Sequence, residues 1–178
     1  MVRICKGLAA EPFSFPCASF QDVYAGKICA ALERQHPRDL FDIKLLLENE
    51  GITEKLKDAF LFYLISSKRP YHEILNSRTK NIDNTFKKSF EGMVDGNITV
   101  SHLSQALIDL RLSLKKMMSR QDLDLLVSTL EMKPRWELSK ISDLGSYPSV
   151  KWRLFNIGKM RSDKRQREIH LLSKWFND

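Results

Sequence analysis

Turn-forming residues are scarce in this sequence. Its 178 residues include seven glycines and six prolines, fewer than an average chain of this length carries, which favours long helices over a fold of many short strands. Cysteine is scarcer still. Cys5, Cys17 and Cys29 form no CxxC, no CxxH and no even set, so neither a zinc site nor a disulfide framework is indicated and the thiols read as reduced. No stretch approaches the roughly 18 consecutive apolar residues of a membrane span, and the opening MVRICKGLAAEP has too short an apolar run for a secretory signal. The compartment expected by default is the cytoplasm. What is present, 43% hydrophobic and 29% charged residues, is the composition of a folded globule rather than of a disordered chain.

The net charge of +7 is unevenly spread. From Lys151 to Asp178, the basic residues Lys151, Arg153, Lys159, Arg161, Lys164, Arg165, Arg167 and Lys174 outnumber the acids Asp163, Glu168 and Asp178 by five. A basic end of this kind suits phosphate contacts, although a solvated helix face is the commoner origin of a charge run.

Local patterns divide the chain into helices. Ser19 with Asp22 resembles a capping box and opens a run of Phe20, Val23, Tyr24, Ile28, Ala31 and Leu32 that must end before Pro37. A second helix begins near Arg38 and is stopped by Gly51, and a third, capped by Thr53, lasts to about Ser67. A short segment runs from Pro70 to Leu75. Asp83 is expected to cap a helix through Phe86 and Phe90, closed by the turn Asp95, Gly96, Asn97. Thr99 or Ser101 caps the next, whose Leu103, Leu107, Leu110 and Leu114 form one stripe. Ser119 with Asp122 repeats the capping pattern before Leu123, Leu126 and Leu130, and Pro134 breaks the helical pattern beyond them. Residues 135–148 read as an ordered loop, and two helices, about 149–160 and 162–176, finish the chain. The segment 12–18, with Pro12 and Pro16, reads as extended, one strand with Phe13 and Phe15 on the same side. The fold class is therefore mainly α, a helical bundle over 19–178, preceded by an extended segment, 1–18.

One segment departs from a plain amphipathic bundle: YAGKICAALERQHPRDLFD, from Tyr24 to Asp42. Lys27 projects from a largely apolar helix face, where a lysine needs a partner. Asp39 and Asp42, three apart at the start of the next helix, share a face, with Arg38 beside them. The short Gln35, His36, Pro37 connection folds the two helices together, so that Lys27 and the carboxylate pair are expected to converge. A buried interhelical salt bridge, with acids complementing the helix dipole, accounts for this pattern as structure alone. A nucleotide site accounts for it as chemistry.

The run AGKICAALERQHPRDLFDIKLLLENEGI resembles a segment of the AbiEii/AbiGii toxin family, nucleotidyltransferase-like toxins of bacterial toxin–antitoxin pairs, in which a lysine-bearing helix precedes an R-D-x-[FY]-D helix. The resemblance covers about Phe15 to Ile52. It implies that Lys27 is catalytic and meets a nucleoside triphosphate, that Asp39 and Asp42 are the catalytic acidic pair of the last motif, and that Arg38 orients that pair or touches a phosphate. It also implies a Gly-Gly or Gly-Ser turn followed by carboxylates that hold Mg2+. No such segment is present, because the one Gly-Ser, Gly145 with Ser146, leads into Tyr147 and Pro148 and lies after the lysine motif. The chain therefore reads as the C-terminal helical part of such a toxin, with the strand of 12–18 left from the nucleotidyltransferase sheet. No metal ligands are assigned within it, Mg2+ and nucleotide are expected only for the complete protein, and the chain alone is expected to be inactive. Expected partners are the missing nucleotidyltransferase half, a cognate antitoxin and RNA. The alternative is a non-catalytic basic helical module that binds RNA or a protein.

Other residues give weaker signals. His36, His72, His102 and His170 lack ligand spacing. Lys68, Arg69, Lys87 and Lys88 read as solvated. Trp152, Phe155, Trp175 and Phe176 interleave with the terminal basic residues, which suits RNA stacking, yet at helical spacing they read as core.

Overall fold

Side chains close the ends of these helices where the backbone cannot. In the computed structural model, which describes residues 17–94 and 96–177, Ser19 accepts from the Asp22 amide at 3.1 Å and so starts α1 (Phe20–Glu33). His36 caps α2 (Pro37–Asn49), with Pro37 at its first position, where no amide is required. Gly51, at φ +68°, turns the chain out of α2, a conformation that favours glycine. Thr53 caps α3 (Glu54–Ser66), and the short α4 (Tyr71–Leu75) follows Pro70.

Asp83 does not cap α5 (Asp83–Ser89), as the sequence pattern suggested. The Asp83 amide instead donates to Asn81 Oδ1 at 2.9 Å, so the asparagine two residues earlier makes the turn and Asp83 becomes the first helical residue. Reciprocal capping boxes open α6 (Val100–Met117), through Thr99 and His102, and α7 (Arg120–Leu130), through Ser119 and Asp122. Two short 3-10 turns, Trp136–Leu138 and Leu144–Ser146, lie in the expected ordered loop, and α8 (Pro148–Gly158) and α9 (Ser162–Asn177) complete the element order. The fold is mainly α, with no strand among the described residues. Most of the strand expected over 12–18 lies outside them, as do Cys5, Asp95 and Asp178.

The apolar stripes dictate the packing. α1 packs against α2 and α3, α6 covers α2, α8 lies on α3, and α9 lies on α4 and α7. Ile28, Leu32, Leu40, Ile43, Phe60, Leu64, Leu107 and Leu126 are fully or almost fully buried at the centre. At roughly 1.5–3 kcal/mol per buried large side chain, this surface supplies the main drive for folding. Polar fasteners pass through it. The buried Lys57 bridges Glu54 at 3.0 Å and Asp122 at 3.2 Å, tying α3 to the start of α7. Tyr71 shares a hydrogen bond with Thr129 at 3.1 Å, and its amide donates to the buried Glu168 at 2.7 Å, which fixes α4 between α7 and α9.

Candidate functional site

The α1–α2 hairpin is held by its turn. Gln35 takes a left-handed conformation, φ 55°, and buries its amide group. That amide donates to the Arg78 carbonyl at 2.7 Å and accepts from the Lys80 amide at 2.8 Å, clamping the α4–α5 connection against the hairpin. His36 Nδ1 accepts from the Arg38 amide at 3.3 Å. Ser89 Oγ donates to the Thr85 carbonyl at 2.7 Å, so it receives its contact with His36 Nε2, at 3.3 Å, as an acceptor. This assigns His36 the neutral Nε2–H tautomer and a structural task, because neither ring nitrogen is left to act as a base.

Lys27 on α1 and Arg34 at its C-cap are seven residues, about two turns, apart, and Asp39 and Asp42 are three apart on the antiparallel α2. Opposite pairs therefore form at different heights. Lys27 donates to Asp42 in the arms of the hairpin, and Arg34 donates to Asp39 at 3.0 Å near its turn. The expected convergence of Lys27 on both acids is thus only half realised, because Asp39 is taken by Arg34, a residue the sequence reading passed over. Its signal was present in E-R-Q-H-P-R-D, where an arginine and an aspartate flank a tight turn. The Lys27–Asp42 pair is not buried either. The two side chains are 35% and 33% exposed, which leaves the ammonium facing solvent with donors to spare.

Arg38 does not orient the acidic pair. Its guanidinium turns away to the end of α5, donating to the Ser89 carbonyl at 3.4 Å and lying 3.3 Å from Met93 Sδ. There it lines a groove of about 460 Å3 with Arg34, Asp39 and Lys80. Lys27 and Asp42 are not among the residues lining this groove. One oxygen of Asp39, Oδ2, is buried without a hydrogen-bond partner.

The arrangement does not fit a metal ion. Each carboxylate of the pair is already matched to a cation, and no group of three or more His, Cys, Asp or Glu among the described residues could hold one. Gly145 has a packing reason instead of a phosphate-loop one. A Cβ there would lie 2.5 Å from the indole nitrogen of Trp136, so the glycine makes room for that ring. Cys29 is not a nucleophile, because burial, reinforced by Glu33, pushes its thiol up and keeps it protonated.

The basic end contains two reversals of expectation. Arg153 is buried, with its guanidinium donating to the carbonyls of Lys68 and Arg69 at 2.9 and 3.0 Å and lying over the Tyr71 ring, so it is not available to a phosphate. Trp152 and Phe155 are not core but 48% and 61% exposed. Lys68 lies over the Trp152 ring and Lys159 over that of Phe155. Trp175 and Phe176 do pack against the core, as expected.

No helix among the described residues is long and apolar enough to cross a membrane. No curated protein and no solved structure matches the chain. A family model does, over residues 2–137, which takes in the α1–α2 hairpin and everything up to the first 3-10 turn; its description is nucleotidyl transferase AbiEii toxin, type IV toxin–antitoxin system. With more than half of its length matched, the chain belongs to the AbiEii family of nucleotidyl transferase toxins.

Proposed function

We propose that the chain is the helical, nucleotide-facing portion of an AbiEii-type nucleotidyltransferase toxin and that it does not catalyse transfer alone. The observation that carries this reading is the ladder of ion pairs across the α1–α2 hairpin. It leaves Lys27 one-third exposed and opens at its turn on the groove of Arg34, Arg38 and Lys80. A triphosphate is a chain of oxyanions, and ammonium and guanidinium groups suit it. In this reading Lys27 and Arg38 bind the nucleotide, while Asp42 holds Lys27 and Asp39 holds Arg34 in place. The Mg2+-holding carboxylates come from a nucleotidyltransferase half whose Gly-rich motif has no counterpart in this sequence. The family's place in a toxin–antitoxin system implies a cognate antitoxin.

With magnesium and a labelled nucleoside triphosphate, the chain by itself is expected to transfer no label to RNA or protein. Robust transfer that disappears in Asp42→Ala would overturn the claim of incompleteness. Triphosphate affinity that is unchanged in both Lys27→Ala and Arg38→Ala would overturn the assignment of the hairpin.

A second reading rests on a different observation, the exposed Trp152 and Phe155 with lysines over their rings. Exposed rings among cations are the chemistry by which proteins stack single-stranded RNA, and this face would make the chain a binding module without catalysis.

A further inference from the structure

The groove between α4, α6 and α9 gathers positive charge, with no carboxylate among the described residues that line it. It measures about 420 Å3 and is lined by Arg111, Lys115 and Lys174 together with Leu112, Leu171 and Trp175. Arg111 is half-buried, and its two terminal nitrogens donate to the hydroxyls of Thr79 at 3.0 Å and Ser77 at 3.3 Å. Those acceptors are neutral, so they fix the guanidinium plane without offsetting its charge. Its Nε is buried with no hydrogen-bond partner, as is Nδ1 of His72, which also lines the groove. Burial alone pulls the Arg111 guanidinium below its ordinary value, with no carboxylate acting against it. Lys115 lies over the Trp175 ring, 5.7 Å from its centre. Among the described residues, the one carboxylate within 4.0 Å of a lining cationic or imidazole nitrogen is Glu168, beside His72, and it already accepts the Tyr71 amide.

A half-buried cation with no counter-charge is costly to keep, and an oxyanion in the groove offsets that cost by supplying the missing negative charge. We propose that this groove binds a phosphate monoester of nucleotide size. The phosphate sits among Arg111, Lys115 and Lys174, and the organic part lies against Leu112, Leu171 and Trp175. The volume falls within the range usual for small-ligand sites, roughly 300–1,000 Å3. None of these residues belongs to the α1–α2 hairpin, so the groove is a second site with its own charge. The phosphate can belong to a free mononucleotide or to the 5′ end of an RNA, and the chemistry shared by both is a dianionic ester beside an apolar wall.

The test is calorimetric titration of the full chain with AMP, with adenosine, and with a short oligoribonucleotide in its 5′-phosphorylated and 5′-hydroxyl forms. AMP is expected to bind and adenosine not. Lys115→Gln and Lys174→Gln should each weaken AMP about tenfold, as loss of one charge-assisted contact implies. Lys87→Gln, on exposed α5, serves as the charge control and should change nothing. Arg111→Gln should weaken AMP at least as much, with thermal melts establishing that this variant is folded. Tighter binding of the 5′-phosphorylated oligonucleotide than of AMP, with the same sensitivity to the variants, assigns the groove to an RNA end; equal or weaker binding assigns it to the free nucleotide. The proposal is overturned if no phosphorylated probe binds or if adenosine competes as well as AMP. It is equally overturned if affinity survives in both lysine variants or depends on Lys27 instead.

Discussion

Asp122→Ala removes a carboxylate that answers three donors at once. Asp122 Oδ2 lies 3.2 Å from Lys57 Nζ and accepts from the Ser119 amide at 2.7 Å and the Ser119 hydroxyl at 2.8 Å. The Lys57 and Asp122 side chains are only 6% and 8% exposed. The ammonium's other partner, Glu54, is 60% exposed and so screened by water. Truncation therefore leaves the buried ammonium with one water-screened partner, a loss of up to about 3 kcal/mol, the lower end for an unpaired buried charge. The capping box contributes about 1 kcal/mol by itself, but the same carboxylate serves both, so the two costs do not add in full. A loss of this size is a large part of the total stability of about 5–15 kcal/mol usual for a domain. Adding Lys57→Met to Asp122→Ala removes the stranded ammonium and should restore part of the loss. Urea unfolding followed by circular dichroism measures both variants. A loss below about 1 kcal/mol for Asp122→Ala would refute the reasoning. So would a double variant less stable than the single one. The alkaline limb gives a second check. Burial pulls the Lys57 ammonium down, but Glu54 and Asp122 outweigh it and its folded-state pKa is raised. The pair's contribution is thus fully present below the unfolded lysine value of about 10.4 and is lost as pH rises through the folded value, and Asp122→Ala should diminish that alkaline loss.

Lys27→Ala should cost only about 0.2–1 kcal/mol, because its pair with Asp42 is one-third exposed; a loss above about 3 kcal/mol in thermal or urea unfolding would mark the lysine as a structural strut. Burial, opposed by the Tyr71 amide, His72 and Arg153, raises the Glu168 carboxyl. Its proton is therefore held more tightly in the folded state, so stability should rise as pH falls through that raised value towards about 4.3. Glu168→Gln should flatten this limb while keeping the bond to Tyr71, and an unchanged pH profile would contradict the assignment. Gly145→Ala places a methyl 2.5 Å from Trp136 Nε1 and should cost about 1–3 kcal/mol with a shift in tryptophan fluorescence; an unperturbed melt and spectrum would show that the indole has room to move. If α8 stacks RNA, binding should fall steeply with salt, and Trp152→Ala with Phe155→Ala should weaken it by about 1–3 kcal/mol per lost stack. Absence of binding at low salt removes that reading.

The helix ends were written locally. Ser19, Thr53, Thr99 and Ser119 each cap the helix their own sequence announces, because a cap needs only a side-chain oxygen and an amide two or three residues on. The facing of Lys27 towards the aspartate helix was legible for the same reason, since a tight turn and two helical periods suffice to bring α1 and α2 together. Which acid each cation takes was not. That depended on the height of each residue along the hairpin, and there Arg34 claimed Asp39 and left Lys27 with Asp42. Arg38 was decided further away, by the end of α5, whose Ser89 carbonyl lies 51 residues along the chain. The C-terminal helices show the limit most plainly. Periodicity told that Trp152 and Phe155 share a face and that Arg153 and Glu168 are charged, but not which face another helix would cover. α3 packs on α8, the Tyr71 ring of α4 lies against Arg153, and the carbonyls of the α3–α4 connection satisfy its guanidinium, so the cation went in and the rings stayed out. Hydrophobicity ranks side chains by what burial gains, whereas the tertiary structure decides which of them are offered partners, and a buried charge is stable only where those partners exist.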